Sequence, residues 1–143
     1  MELSSTETGY LTGYAPTDLP LYINLDDAAF ENFCTALLSL HPKVLCQRAG
    51  KLVERRIISA TKLLSGTPQH GVDIRADVEQ GEVWYFQCKR VQKLGLAQVN
   101  QAIELAEKGF PHADQFVLVI TCGLRADALE AIKRRPNWDG WNP

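Results

Sequence analysis

Several features that would reveal a function directly are missing from this sequence. No apolar run approaches the roughly 18 residues that identify a membrane span, and the start, MELSSTETGY, lacks the basic and apolar regions of a signal peptide. We therefore expect no membrane association and a cytoplasmic location. There is also no glycine-rich phosphate loop, no GxSxG and no HExxH, which excludes the common patterns of nucleotide-binding proteins, serine hydrolases and zinc proteases.

Cysteine is sparse and is not arranged for metal binding. The four cysteines form no CxxC pair and match no zinc-finger spacing, and each lies among apolar residues. Three of them with a nearby histidine form an alternative zinc site, but their context favours buried free thiols. The residues concerned are Cys34, Cys46, Cys88 and Cys122.

Basic residues are absent from the beginning of the chain. Residues 1–31 include six acidic and no basic residues. Residues 43–62, in contrast, include six basic residues and a single acidic one, Glu54. The net charge of −2 does not favour a nucleic-acid partner by itself, but such local asymmetry can create a phosphate-attracting surface. This basic segment is therefore either a DNA contact, which would include Arg55 and Arg56, or a solvated face.

The composition is that of a single globular domain. The chain has 143 residues, of which 45% are hydrophobic and 22% charged. Residues 1–20 are rich in Ser, Thr, Gly and Pro and have no structural period, which predicts a flexible arm. The folded domain is expected to span residues 21–143.

Helical spacing predicts the first element of this domain. Asp26 can cap a helix that runs to about Leu40, with Phe30, Phe33, Leu37 and Leu40 as its buried stripe. Residues 47–56 are compatible with a second helix. The β-branched run at residues 57–64 predicts a strand.

Further elements follow a central hairpin. Residues 96–109 predict a helix, residues 116–120 a strand buried on both faces, and residues 125–135 another helix. The tail ends with Trp138 and Trp141. These tryptophans either pack back onto the domain or form a junction to a partner.

The hairpin itself, GVDIRADVEQGEVWYFQCKR at residues 71–90, alternates apolar and polar residues on both strands. A two-residue loop would set Asp73 opposite Cys88, which mixes a polar with an apolar residue. A three-residue loop that ends with Gly81 in the left-handed conformation sets Asp73 opposite Gln87. We expect the second register, which places a carboxylate, a carboxamide and the Lys89 ammonium on one polar face.

The order of these residues resembles the PD-(D/E)XK nuclease core. Asp73, followed by Gln87-x-Lys89 at the end of the next strand, matches its signature, and glutamine at the acidic position is similar to the Mrr-like restriction endonuclease branch. The segment GVDI at residues 71–74 and the pair FE at residues 30–31 match that branch as well. The resemblance implies an α/β fold with an αβββαβ core, in which helices flank a central mixed sheet.

This resemblance covers residues 26–122 and implies a DNA endonuclease that hydrolyses phosphodiester bonds with Mg²⁺ or Mn²⁺. Its implied catalytic residues are Asp73 as the main metal ligand, Gln87 as a ligand through its amide oxygen, Glu31 as a second carboxylate, and Lys89. The lysine would orient the attacking water or offset charge on the phosphate. Because Gln87 is neutral, we expect weaker metal binding than in the acidic versions and a site that DNA or assembly helps to complete.

The resemblance also implies partners. Double-stranded DNA is the expected substrate, and a homo-oligomer is expected because restriction-type nucleases often cut both strands as dimers. Mrr-like domains also serve as N-terminal effectors of bacterial antiphage proteins, including STAND NTPases, which implies a defence role. The candidate DNA contacts are Gln69, His70, Arg90, Gln98, Arg55 and Arg56.

Other interpretations remain open at this point. An aspartate opposite a glutamine, with a lysine one pleat further, is common on a solvent-exposed sheet, and Glu31 could be an exposed helix glutamate. Gln98 and Gln101 are either site contacts or polar surface, and His70 is either a phosphate contact or a turn residue. The rival functions are a catalytically inactive nuclease-like DNA-binding module and an oligomerisation module.

Overall fold

The computed structural model describes residues 10–11, 26–63 and 71–142. The described residues form three helices and seven strands, and Glu79–Gly81 forms a short 3-10 turn. Of the predicted arm at residues 1–20, only Tyr10–Leu11 belong to the described residues. In chain order the elements are β1 (Tyr10–Leu11), α1 (Asp27–Leu40), β2 (Lys43–Arg48), β3 (Lys51–Lys62), β4 (Ile74–Val78), β5 (Glu82–Lys89), α2 (Leu96–Gly109), β6 (Gln115–Ile120), α3 (Ala126–Lys133) and β7 (Trp138–Trp141).

The first helix begins at the expected cap. The Asp26 carboxylate accepts a hydrogen bond from the Ala29 N–H at 2.7 Å, and Pro42 follows the end of the helix. The predicted buried stripe is wrong at Leu40, which is 74% exposed. Leu38 is buried instead, because the stripe at 3.6 residues per turn continues from Cys34 to this position.

The prediction of a helix at residues 47–56 is wrong, because this segment forms the β2–β3 hairpin. Arg48 pairs with Lys51, so the loop has two residues, and both take positive φ: 52° at Ala49 and 79° at Gly50. This is the hairpin turn that matches strand twist. Alanine is a poor signal for it, and the strand predicted from residue 57 therefore begins earlier, at Lys51.

The sheet is mixed and follows the chain order from β1 to β7. Strands β2 to β5 pair antiparallel with one another, whereas β5, β6 and β7 pair parallel with one another, as do β1 and β2. The parallel pairing brings the carboxyl ends of β5 and β6 to one edge. None of the described helices has the length and apolar character needed to cross a membrane.

The expected register of the β4–β5 hairpin is confirmed. Ile74 pairs with Phe86 and Val78 with Glu82, which leaves a three-residue loop. Gly81 ends this loop at φ 74°, the left-handed conformation that glycine adopts without strain.

Helices cover both faces of the sheet. Phe30 of α1 packs with Phe86 on one face. On the other face, Ile103 of α2 and Ile132 of α3 pack with Leu118. This arrangement confirms the predicted α/β class with a mixed sheet flanked by helices.

The tail packs back onto the domain as β7. Trp138 and Trp141 are both buried, on opposite faces of the sheet. The β2–β3 hairpin reaches this strand, because Gln47 donates to the Trp138 carbonyl at 2.6 Å and its N–H donates to the Asp139 carboxylate at 2.9 Å. The pairing of β3 with β4 shifts register between Ile57 and Ser59, as at a β-bulge.

Candidate active site

Asp73 lies just before β4, where the chain changes sides of the sheet. Val72 packs in the cluster under α2, whereas Ile74 packs under α1. The Asp73 N–H donates to the Phe86 carbonyl at 2.8 Å, and the Asp73 carbonyl accepts from the Leu63 N–H at 2.8 Å. The backbone of Asp73 is therefore fixed between β3 and β5, and its side chain lies at the edge between the two helical layers.

The Asp73 carboxyl group is held by β5 and by α1. Its Oδ2 accepts a hydrogen bond from the Cys88 N–H at 2.8 Å, and the Glu31 side chain lies close enough to raise its pKa. Burial, above all, raises the pKa of Asp73 from 3.8 to about 6; the Cys88 N–H opposes this rise, the charge of Glu31 adds to it, and Lys89 lowers the pKa. Two carboxyl groups in contact share a proton or require a cation between them.

Lys62 is a member of this cluster that the sequence reasoning did not assign to the site. Its Nζ lies 3.7 Å from Glu31 Oε1 and donates to the Asn32 side-chain oxygen at 3.4 Å. The pairing of Lys62 with Ile74 across β3 and β4 brings it there. Only this pairing between distant parts of the chain could have identified the lysine, because its sequence context is an ordinary basic segment.

Gln87 was expected on a polar face, but α2 covers that face and leaves the side chain 1% exposed. Its Nε2 donates to the Ala102 carbonyl at 3.1 Å, while its Oε1 is buried without a hydrogen-bond partner. Gly71, at φ 79°, leaves room for the amide, since a Cβ there would lie 3.0 Å from Gln87 Nε2. A buried oxygen without a partner costs free energy and therefore marks a place where a ligand can bind.

Gln87 and Lys89 open into one groove of about 320 Å³ between the end of β5 and α2. Gln98 and Gln101 of α2 line the same groove. The Gln98 side-chain oxygen accepts from the Gly95 N–H at 2.7 Å and so caps the helix.

Asp73, Glu31 and Gln87 carry the oxygen donor types that a hard divalent cation prefers, but Asp73 and Glu31 are not among the residues that line the groove of Gln87 and Lys89. Asp73 and Glu31 supply two carboxylates in contact, and Gln87 supplies an amide oxygen without another partner. Carbonyl and carboxylate oxygens are the ligands that Mg²⁺ and Mn²⁺ prefer. The fit depends on the amide, because the described part of the chain contains no group of three or more His, Cys, Asp or Glu side chains placed to hold a metal.

The cysteines are free thiols, and three of them are buried, whereas Cys88 is half-buried. Burial raises the pKa of the Cys46 thiol, which disfavours a thiolate there. The alternative of a cysteine–histidine zinc site thus finds no support in the described residues.

The candidate DNA contacts do not all lie at this site. Arg90 follows Lys89 but forms an ion pair with Asp27 at 3.3 Å. Arg55 lies toward the opposite end of the strands, where its Nε lies 3.3 Å from Glu82 Oε2. The neighbouring Arg56 is exposed there, Gln98 lines the groove, and Gln69 and His70 lie outside the described residues.

Comparison with protein families gave a match over most of the chain. The Mrr_cat family model, described as restriction endonuclease, matches residues 24–138. The match therefore includes α1, all of β2 to β6, α2, α3 and the start of β7. Comparisons with curated proteins and with solved structures gave no match.

Proposed function

The chain belongs to this restriction endonuclease family, and from that membership we propose that it is a Mg²⁺- or Mn²⁺-dependent endonuclease that hydrolyses phosphodiester bonds in double-stranded DNA. The proposed catalytic residues are Asp73, Gln87, Lys89 and Glu31. The observation that carries the proposal is the buried Gln87 Oε1, which lacks a protein partner in a groove that also holds Lys89.

A bound divalent cation would supply Lewis-acid stabilisation of the charge that develops on the phosphate and would favour ionisation of the attacking water. Asp73, Glu31 and Gln87 are the residues proposed to hold it. The Cys88 N–H donates to Asp73 Oδ2 and so orients this carboxylate. Gln87 adds no charge, so we propose weaker binding than an acidic residue would give at this position.

Lys89 is proposed to orient the attacking water and to offset the negative charge of the phosphate. It lies on the same strand and in the same groove as Gln87, two residues further, so both side chains project from one face of β5. An ammonium group in a half-buried groove is less screened than one on the open surface, which strengthens its attraction for phosphate.

The biological setting is proposed on the family resemblance. We propose that the domain acts in the cytoplasm as an antiphage effector, in the manner of N-terminal effector domains of STAND NTPases. We also propose that it works as a homo-oligomer, because cleavage of both DNA strands requires two sites.

Cleavage of supercoiled plasmid tests this proposal. We expect the wild type to produce nicked and linear DNA in Mg²⁺ or Mn²⁺, and to leave the plasmid supercoiled when a chelator is present. Asp73→Asn removes the main ligand charge while it keeps an oxygen for the Cys88 N–H, so it should abolish cleavage. Lys108→Gln, an exposed charge change at the end of α2, is the matched control and should cleave like the wild type.

The remaining outcomes would refute the proposed site or support one of the rival functions. Cleavage that persists in chelator or in Asp73→Asn would refute the proposed site. DNA binding without cleavage at any protein concentration would favour a nuclease-like binding module. A protein that neither binds nor cleaves DNA but changes mass with concentration would favour an oligomerisation module.

A further inference from the structure

A second groove continues from the candidate active site along the same edge of the sheet. It has a volume of about 570 Å³ and lies between the loop after β5 and the loop after β6. The two grooves share three lining residues, so they adjoin each other. The shared residues are Lys93, Leu94 and Gln98.

Two cations from different loops line this extension. Lys93 is exposed and has no carboxylate within ion-pair distance among the residues that the structure describes. The Arg125 side chain is 82% exposed, and its Nε lies 3.8 Å from Asp127 Oδ1, which already accepts the Ala128 N–H at 2.8 Å. This contact is long and solvated, so it leaves the guanidinium available for a stronger anion.

The two loops are fixed relative to each other. The Thr121 hydroxyl, just after β6, accepts from the Val91 N–H and donates to the Val91 carbonyl, each at 3.0 Å. The Thr121 N–H also donates to the Lys89 carbonyl at 3.2 Å. Leu94 is buried and Leu124 packs against the same cluster, which anchors each loop beside its cation.

The position of these cations matches the expected path of a ligand. Ligands of α/β sheets bind outside the carboxyl ends of parallel strands, and the Lys93 and Arg125 loops follow the carboxyl ends of β5 and β6. Gly123, on the wall of the second groove, has no atom within 4 Å of where its Cβ would be, so the backbone is open to a close approach. Together with Lys89, the two adjoining grooves carry three cations on a protein whose net charge is −2.

We propose that Lys93 and Arg125 bind backbone phosphates of one DNA strand next to the phosphate at Lys89. The two adjoining grooves then hold neighbouring phosphates of that strand, and the strand leaves the site over the carboxyl end of β6. This inference rests on the proposed function, because it assigns part of the DNA substrate to the same site. These residues position the substrate through charge and carry no sequence preference.

DNA affinity measured over a range of salt concentrations tests this proposal. The probe is a short labelled duplex, titrated in chelator with wild type and with the double variant Lys93→Gln/Arg125→Gln. Loss of two phosphate contacts should weaken binding about tenfold or more and reduce the slope of log affinity against log salt by about 1.8. The matched control, Lys108→Gln/Lys133→Gln, removes two charges at the far ends of α2 and α3 and should keep the wild-type slope.

The outcomes separate this inference from the proposed function. Equal loss in both double variants would mean a non-specific charge effect and would overturn it, as would an unchanged slope in Lys93→Gln/Arg125→Gln or no binding by the wild type. If the double variant shows the predicted slope change but the wild type never cleaves DNA, the proposed nuclease activity is contradicted and the proposed phosphate path is supported. Cleavage by Lys93→Gln/Arg125→Gln at the wild-type rate and KM would overturn only the path.

Discussion

At the scale of single residues, the Asp73 carboxyl group links folding to pH. Its pKa is raised to about 6, so the folded protein binds this proton more tightly than the unfolded chain. The stabilisation from the proton is complete below the ordinary pKa of 3.8 and is lost as the pH rises through about 6. In metal-free protein the ionised carboxylate, pressed against Glu31, therefore weakens the fold at neutral pH.

The first prediction concerns Asp73→Asn. In chelator at about pH 7.5 this variant should raise the free energy of unfolding by about 1–2 kcal/mol; the full two-unit shift would give about 3, which partial exposure reduces. Near pH 4 the gain should disappear. Urea unfolding at both pH values measures it, and Asp77→Asn, an exposed aspartate on β4, should show no such gain. If Asp73→Asn were less stable than the wild type at neutral pH, the claim that the ionised Asp73 beside Glu31 weakens the fold would be contradicted.

Gln87 leads to a second prediction, because its amide nitrogen is bonded and its oxygen is not. Gln87→Glu replaces the donor to the Ala102 carbonyl with a carboxylate oxygen. Without metal this should cost about 2 kcal/mol of stability, since a buried carbonyl and a carboxylate then face each other.

Saturating Mn²⁺ should recover part of that loss, because the new carboxylate is a stronger ligand than the amide. Melting temperatures with and without Mn²⁺ measure the effect, and the shift should exceed that of the wild type. Gln101→Glu adds the same charge at an exposed position of the groove and is the control. A Mn²⁺ shift for Gln87→Glu no larger than that of the control would exclude Gln87 from the proposed cation site.

At the scale of elements, the turn into β4 shapes the site. Gly71→Ala and Gly81→Ala both place alanine at positive φ, which should cost about 1 kcal/mol in each case. Only the Gly71 Cβ would meet another group, at 3.0 Å from Gln87 Nε2, whereas nothing lies within 4 Å at Gly81. We therefore expect Gly71→Ala alone to lose DNA cleavage, measured beside the urea stability of both variants. Equal DNA cleavage by the two variants would show that cleavage does not depend on the position of the Gln87 side chain.

The β2–β3 hairpin is held to β5 by Glu82. Its carboxylate binds Arg48 at 2.8 Å and Arg55 at 3.3 Å. The hydrogen bond from Arg48, above all, lowers the pKa of Glu82 to about 2, and the Trp84 indole N–H adds to this effect. Stability from this carboxylate is present above its ordinary pKa of 4.5 and is lost as the pH falls toward 2.

Glu82→Gln should therefore lower the free energy of unfolding by about 1–2 kcal/mol at neutral pH, because the ion pairs become weaker neutral hydrogen bonds. The difference from the wild type should narrow as the pH falls below about 4.5. Urea unfolding over this pH range measures it, with Glu54→Gln on the exposed side of β3 as the control. A difference independent of pH would mean that charge does not hold the hairpin.

At the scale of the whole molecule, local sequence signals predicted much of the architecture. The glycine that ends the β4–β5 loop and the alternation on both strands were enough to obtain the register that aligns Asp73 with Gln87. The two-residue turn at Ala49 was missed because a positive φ at alanine has no sequence signature. Lys62 was not assigned to the site because the pairing of β3 with β4 brings it there, and local sequence does not predict that pairing.

The most direct test of the central claim is single-turnover cleavage of a DNA duplex by the wild type and by Lys89→Ala, with DNA affinity measured on the same samples. Because Lys89 is proposed to act on the phosphate and the water, its loss should slow cleavage by about a thousandfold or more while affinity changes by less than about tenfold. Cleavage by Lys89→Ala at the wild-type rate would contradict the account, and so would a wild type that binds the duplex but leaves it uncut in Mg²⁺ and Mn²⁺.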